Sequence, residues 1–394
     1  DGTGELFHSV NIGIPHVTGR CLLGVVFANQ ATGLPIDPAG LEVLRRYAKI
    51  SFDNPYDMNA YTDPEKNNEK FVEFHNVREG LYSLCALIVH DNDPWARAMS
   101  DKVIAMLKRI TDERGVWSNA LIDKTPMVGH YGGASIPNLA RAVEPLLALY
   151  SATGNVTASE LAGQYARAGL AELYSADGNF TEWTRSSGHV HSITSALGGI
   201  TDYAASTFNM DMLAQCRRVM DVGVPAYHSS WGWGDEVFPE HPANVIGRGE
   251  INQTGDVVRT ALQLGQMGYP AYYGLAERYL RGMLLPTQHR EPELRAFMRD
   301  NEHPKSDAEF EVVRRTVGGY AMQLPNDRMR EGDWPLSTLD ITSGAIHAMA
   351  ECYRHRVVRN GDTSKVNLYF DYDGDDVTIE SGLPLEGRIA FTMK

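Results

Sequence analysis

Apolar residues along this chain recur mostly three and four positions apart, and four stretches share one shape. They are "LCALIVHDNDPWARAMSDKVIAML" (84–107), "LLALYSATGNVTASELAGQYARAGL" (146–170), "GGITDYAASTFNMDMLAQCRRVM" (198–220) and "ALQLGQMGYPAYYGLAERYLRGML" (261–284). Each reads as an apolar helical run, a short turn and a second run with Ala or Met on one face. The turns fall near Asn92, Gly154, Phe208 and Gly268, about 60 residues apart, a period of stacked helical hairpins. Gly154 and Gly268 supply the left-handed residue that ends a helix. Pro94 and Pro270 stand where a first-turn proline is tolerated.

Further helices are expected at 16–30, 38–51 and 338–355, giving about eleven, close to the twelve of six stacked hairpins. The predicted fold is therefore mainly α, an (α/α)6 toroid. The long connections (53–75, 112–135, 175–188, 222–252 and 286–337) all precede the first helix of a pair, so they should gather on one face. An open solenoid is the alternative, but its connections are usually far shorter. The tail changes period: "KVNLYFDY", "DDVTIESG" and "GRIAFTMK" alternate and read as strands. Three short strands cannot make a stable sandwich alone. The expected organisation is a barrel over 1–360 and a β segment over 361–394, which packs on the helical body or opens a β-sandwich.

Composition narrows the function. A net charge of −14 over 394 residues argues against a nucleic-acid partner and against an anionic membrane surface. No apolar run approaches the length of a membrane span. Cys21, Cys85, Cys216 and Cys352 are scattered without a CxxC pair and read as reduced thiols, mostly core residues. The location expected is cytoplasmic, and a homo-oligomer is possible.

The chemistry concentrates in the long loops. "YHSSWGWGDEVFPEH" (227–241) carries Tyr227, His228, Trp231, Trp233, Asp235 and Glu236. "TEWTRSSGHVHS" (181–192) carries Trp183, His189 and His191; "MREGDWPLSTLD" (329–340) carries Asp333, Trp334 and Asp340; "GHYGG" (129–133) carries His130 and Tyr131. Rings beside carboxylates and amides suit a saccharide: the ring covers the apolar face of the sugar and polar groups meet its hydroxyls. "GRGEINQTGD" (247–256) adds Arg248, Glu250 and Asn252. Glu250 lies upstream of the expected helix start, whereas Thr254 or Asp256 reads as an ordinary cap. A cap is also a competing role for Asp340. The His-Val-His pair occurs in metal sites too, but no third ligand is fixed by spacing. Hydrogen bonding is its expected role, and no metal or other cofactor is expected.

The order "GHVHSITSALGGITDY", "GEIN", "GLAERYLRGMLLPTQ", "SGAIHAMAECYRH", "VNLYFDY" resembles the β-L-arabinofuranosidase-like glycoside hydrolases of family 127 and its relatives, over most of residues 76–394. The resemblance implies an (α/α)6 barrel followed by β modules, a saccharide substrate, and a cleft lined by Glu250, His189 and His191. That family sets a cysteine two residues after the glutamate and a Cys-Cys pair before the last inner helix. Asn252 and Leu339-Asp340 stand there in this chain, so the zinc-thiolate machinery is not implied. The expected activity is glycoside hydrolysis by carboxylate and His acid–base chemistry, with Glu250, His189, His191 and Asp340 catalytic. Polysaccharide lyase or sugar epimerase is the alternative, and a non-catalytic carbohydrate binder the third reading.

Overall fold

The structure, a computed structural model, describes residues 14–63, 69–124, 129–130, 134–242, 249–291, 317–320 and 339–394. Helical hairpins repeat along it. α1 (Ile14–Thr32) is followed by α2 (Pro38–Phe52), and α3 (Val77–Asp91) by α4 (Pro94–Ile110). A broken pair, α5 (Ile136–Arg141) and α6 (Val143–Thr153), is followed by α7 (Val156–Leu173). Then come α8 (Val190–Ser206) with α9 (Met210–Arg218), and α10 (Ile251–Gln266) with α11 (Ala271–Tyr279). The last, α12 (Leu339–His355), has no outer helix after it among the described residues.

The first helices of the pairs stand side by side in a ring. α1 packs on α3, α3 on α6, α5 and α6 on α8, α8 on α10, α10 on α12, and α12 back on α1. That last contact closes a toroid and disposes of the open solenoid. Burial explains which helix goes inside. α3 is buried without interruption from Val77 to Ile88, so it must have neighbours on every side. α4 buries only Ala96, Ser100, Val103, Ile104, Met106, Leu107 and Ile110, a stripe facing inward. The four turns read from the sequence are the places where the backbone turns left-handed: φ is 58° at Asn92, 75° at Gly154, 54° at Phe208 and 97° at Gly268. Asp93, Asn155 and Asn209 then cap the following helices by accepting from Ala96, Ala158 and Met212 N–H.

All inner helices start at one end of the ring, and the described long loops meet there. β1 (Ala60–Asp63) pairs antiparallel with β2 (Glu69–Glu73), which pairs parallel with β3 (Gly129–His130), joining the first two loops. Bridges between His189 and Val237 and between Asp235 and Gly249 join the next two.

α1 and α3 cross very closely at this end. A Cβ added at Gly19 would fall 1.8 Å from the carbonyl oxygen of Glu79. Gly19→Ala is therefore expected to lower stability by about 3 kcal/mol through forced separation of the helices. An unchanged urea midpoint would contradict the crossing.

The tail docks on the helical body. β4 (Val357–Asn360) and β5 (Thr363–Val366) form a hairpin, and β6 (Tyr372–Asp373), β7 (Val377–Ser381) and β8 (Ile389–Met393) an antiparallel meander. "KVNLYFDY" is split between β5 and β6, because its middle turns back to the helices. Tyr369 N–H donates to Glu277 at 2.9 Å, and Arg281 donates to the Tyr369 carbonyl at 2.6 Å. All four cysteines are free. Among the described residues no helix is long and apolar enough to cross a membrane.

Candidate active site

The N-terminal turns of the inner helices are polar on their inward face. α1 contributes His16 and Arg20, one turn apart. The segment entering α3 contributes Glu73, His75, Asn76, Arg78 and Glu79. α5 adds Asn138 and Arg141, α8 adds His189, His191 and Ser195, α10 adds Glu250, Asn252 and Asp256, and α12 adds Asp340. Most of these side chains are buried, so each charge must be paired or hydrogen-bonded.

Glu79, with no exposed surface, is the anionic centre. Its Oε1 accepts from Arg78 at 2.5 Å and from Arg141 at 2.8 Å. Burial alone would raise its pKa, but Arg78 and Arg141 hold it well below the ordinary glutamate value. Asp340 is held low in the same way: Arg20 Nε lies 2.8 Å and His16 Nε2 3.2 Å from its Oδ1. It sits in the first turn of α12, but its carboxylate serves these ion pairs.

His191 is locked at both nitrogens. Arg20 Nη1 lies 2.8 Å and Arg78 Nη2 3.3 Å from Nε2. A guanidinium only donates, so Nε2 accepts and Nδ1–H donates to Asp256 Oδ2 at 2.8 Å. Burial, Arg20 and Arg78 together hold His191 well below the usual imidazole range, hence neutral. Asp256 is thus not a cap. α10 starts at Ile251, five residues earlier, and Asp256 lies one turn inside it, buried, accepting from His191 and from Thr194 at 2.8 Å.

His189 behaves oppositely. Its Nε2 lies 3.1 Å from Glu250 Oε2, with its side chain 32% exposed and that of Glu250 10%. Burial pushes the imidazole down, but Glu250 outweighs it and raises the pKa; His189 reciprocally outweighs burial and lowers that of Glu250. Each partner thus favours the charged form of the other, and the His189 side chain is partly open to solvent. Glu250 occupies the N-cap position of α10 without making a capping bond from its side chain. Val190 N–H donates to the Glu236 carbonyl at 3.0 Å, and Gln253 Nε2 to the Asp235 carbonyl at 3.1 Å. Thr254 Oγ1 donates to the Gly232 carbonyl at 2.6 Å. The Asn-Gln-Thr run therefore opens a helix and ties down the aromatic loop.

Glu73, 3% exposed, carries a pKa pushed up to about 7 by burial and by Glu79, against the opposing pull of His16 and Arg141. A raised carboxyl favours the fold below its unfolded value of 4.5 and withdraws that support as pH climbs to about 7. The shift corresponds to about 3 kcal/mol. Glu73→Gln should match the parent in urea at pH 5 and exceed it at pH 8 by about 1–3 kcal/mol. An equal difference at both pH values would remove Glu73 from this role.

The structure thus brings Glu250, His189, His191 and Asp340 to one end of the ring. Asn252 joins them: its amide, 1% exposed, makes no hydrogen bond and lies against Gly344 on α12, as does Arg20. Three aromatic-loop residues go elsewhere. Tyr227 packs on Phe180 and Phe238, His228 stacks on Tyr279 of α11, and Trp231 covers Gly282. Trp233 is half-buried beside Gly249, and Trp183 is 49% exposed on the short helix Glu182–Ser187. The side chain of His130, and Tyr131, Arg248, Asp333 and Trp334, lie outside the described residues. Unanticipated members of the cluster are His16, Arg20, Glu73, His75, Arg78, Glu79 and Arg141. Their signal is charge inside apolar helical runs, as in "PHVTGR" and "NVREGL".

His189, Glu236 and Glu250 each offer one donor atom, all within 4.8 Å of one another, and form the group among the described residues that could take a divalent cation. The thiolate-rich zinc set that the resemblance to family 127 would bring does not fit, because no cysteine joins this group among the described residues. A cavity of about 630 Å³ borders β6–β8, whereas the polar convergence lies at the helix N-termini.

No protein-family model matches the sequence, and no curated protein does. Solved structures match in fold. A cellobiose 2-epimerase from Spirochaeta thermophila superposes with a TM-score of 0.61 at 13% identity, over 86% of this chain and 86% of its own. A family 127 β-L-arabinofuranosidase from Geobacillus stearothermophilus gives 0.58 at 12% identity, over 98% of this chain and 64% of its own. An unsaturated glucuronyl hydrolase from Bacillus sp. GL1 gives 0.54 at 14% identity, over 89% of each. This chain therefore spans less than two thirds of the arabinofuranosidase. Likeness at such identity establishes the shared (α/α)6 architecture.

Proposed function

We propose that the cleft at the N-terminal end of the ring hydrolyses a glycosidic bond. The observation that carries this reading is the His189–Glu250 ion pair, partly open at the edge of a cluster whose other members are mostly buried. His189, protonated, gives its proton to the leaving oxygen. The Glu250 carboxylate faces the oxocarbenium-like centre, as attacking group or as counter-charge; water then adds to the anomeric carbon, displacing Glu250 where it had bonded, and its proton goes to the now neutral His189. Asp340 is a second fixed anion, felt electrostatically at Glu250. The unpaired amide of Asn252 is a buried polar group that a sugar hydroxyl would satisfy. His191 has no free nitrogen, so it holds its neighbours rather than moving protons. The family 127, cellobiose epimerase and glucuronyl hydrolase names of the fold neighbours support a saccharide substrate.

One observation favours proton abstraction instead. His189 and His191 are 5.9 Å apart with pKa values pushed in opposite directions, the usual mark of an acid and a base. Both nitrogens of His191 would have to be released for an epimerase or lyase to use it. Product analysis on arabinan, pectic and algal oligosaccharides separates the readings. A new reducing end supports hydrolysis; an unsaturated uronide, or solvent deuterium incorporated at a sugar carbon, overturns it.

A further inference from the structure

The axis of the ring opens again at the opposite end, where the inner helices finish. A cavity of about 480 Å³ lies there, lined by residues of α1, α6, α8, α10 and α12 and by Ser159 of α7. Its size falls within the range of about 300–1,000 Å³ typical of small-molecule sites. It shares no lining residue with the His189–Glu250 cleft.

Its charges are unequally satisfied. Glu144 accepts from Arg259 and, at 2.8 Å, from Tyr82. Glu351 pairs with His355 and with Arg354, each at 3.2 Å. His347 is held neutral, pushed down to about 4 by burial and by Arg259. Asp202 has no hydrogen-bond donor among the described residues, and burial followed by the like charges of Glu144 and Glu351 lifts it to about 6. Gln263, also in the lining, has a buried Oε1 with no donor. Gln263 Oε1 is thus a buried acceptor without a donor, and the half-buried Asp202 carboxylate lines the same cavity with no donor among the described residues, an arrangement that suits a donor-bearing ligand. The C-terminal ends of α6, α8, α10 and α12 add their partial negative charge to the same mouth. Leu147 and Leu262 give it an apolar wall, while Ser206 and Thr207 offer hydroxyls. An inorganic cation is the poorer occupant: among the described residues, no three carboxylate or imidazole donors converge in this cavity.

We propose that this second cavity binds a small hydroxylated organic cation, with Asp202 receiving its ammonium group and Gln263 Oε1 a further N–H or O–H. The site is independent of the catalytic reading.

Titration calorimetry of the full chain with glucosamine tests it, with glucose as the uncharged counterpart. Saturable binding of glucosamine is expected. Asp202→Asn should weaken it about tenfold or more, the worth of a hydrogen bond to a charged group, and Gln263→Leu should weaken it less. Glu250→Gln should leave it unchanged, which separates this site from the cleft. Urea midpoints near that of the parent confirm that both cavity variants are folded. No heat with glucosamine, equal binding of glucose, or undiminished binding by Asp202→Asn would each overturn the proposal.

Discussion

Glu250→Gln should lower kcat/KM by about 10²–10⁴-fold, the usual range for losing a positioned acid–base group, while the chain remains folded. The amide keeps the shape of the carboxylate and removes its charge. Two consequences follow at the active site: the oxocarbenium-like centre loses its counter-charge, and His189 loses the anion that raises its pKa. The proposed hydrolysis needs both partners charged. Glu250 is ionised above a pKa held below 4.5, and His189 is protonated up to one raised above 6.5. Activity should therefore hold across that window, fall in acid as Glu250 protonates, and fall on the alkaline side as His189 deprotonates. In the variant the alkaline limb should move to lower pH, since Glu236 alone then opposes burial at His189. Steady-state kinetics across pH, on whichever oligosaccharide the parent cleaves, would show this. Turnover unchanged in the variant would end the assignment of Glu250.

Glu79→Gln should destabilise the fold by about 3–5 kcal/mol, the cost of stranding a buried charge after removing its partner. Arg78 and Arg141 are 3% and 0% exposed in their side chains, and both donate to the one oxygen. Glutamine preserves volume, so the loss is electrostatic rather than a cavity. The sign with pH follows from the lowered pKa. Glu79 supports the parent above 4.5 and ceases to do so as acid reaches its folded value. The gap between parent and variant should therefore be full at neutral pH and narrow in strong acid. Urea denaturation at several pH values measures it. A variant within about 1 kcal/mol of the parent would mean that water or relaxation screens the arginines.

Helix order and turns were readable because they rest on local chemistry. Asn92, Gly154, Phe208 and Gly268 interrupt apolar periodicity, and each does carry a positive φ. The start of α10 was not readable by that route. Asn252, Gln253 and Thr254 look like a polar turn, yet they are helical and buried: Gln253 and Thr254 find carbonyl partners in the aromatic loop, and Asn252 packs against Gly344. The same inversion hides Arg78 and Glu79, whose charges are tolerated only beside Arg141 and Ser195 on other helices. His189 and Glu250 could be singled out because they flank helix starts at long loops. His16 and Arg20 could not, since their partner Asp340 is more than three hundred residues away in sequence. The tail strand over "KVNLYFDY" was overextended for a related reason: Arg281 on the helical body, not strand pairing, fixes its middle.

Contact between α12 and α1 also bears on how the chain reaches its native state. Until α12 emerges from the ribosome, α1 and α10 each lack the neighbour that covers one flank. Loop-closure entropy is spent before that contact is made, so the final step should be slow relative to hairpin formation. Nascent chains halted before α12 should expose sticky apolar surface and engage chaperones, whereas chains released after it should not.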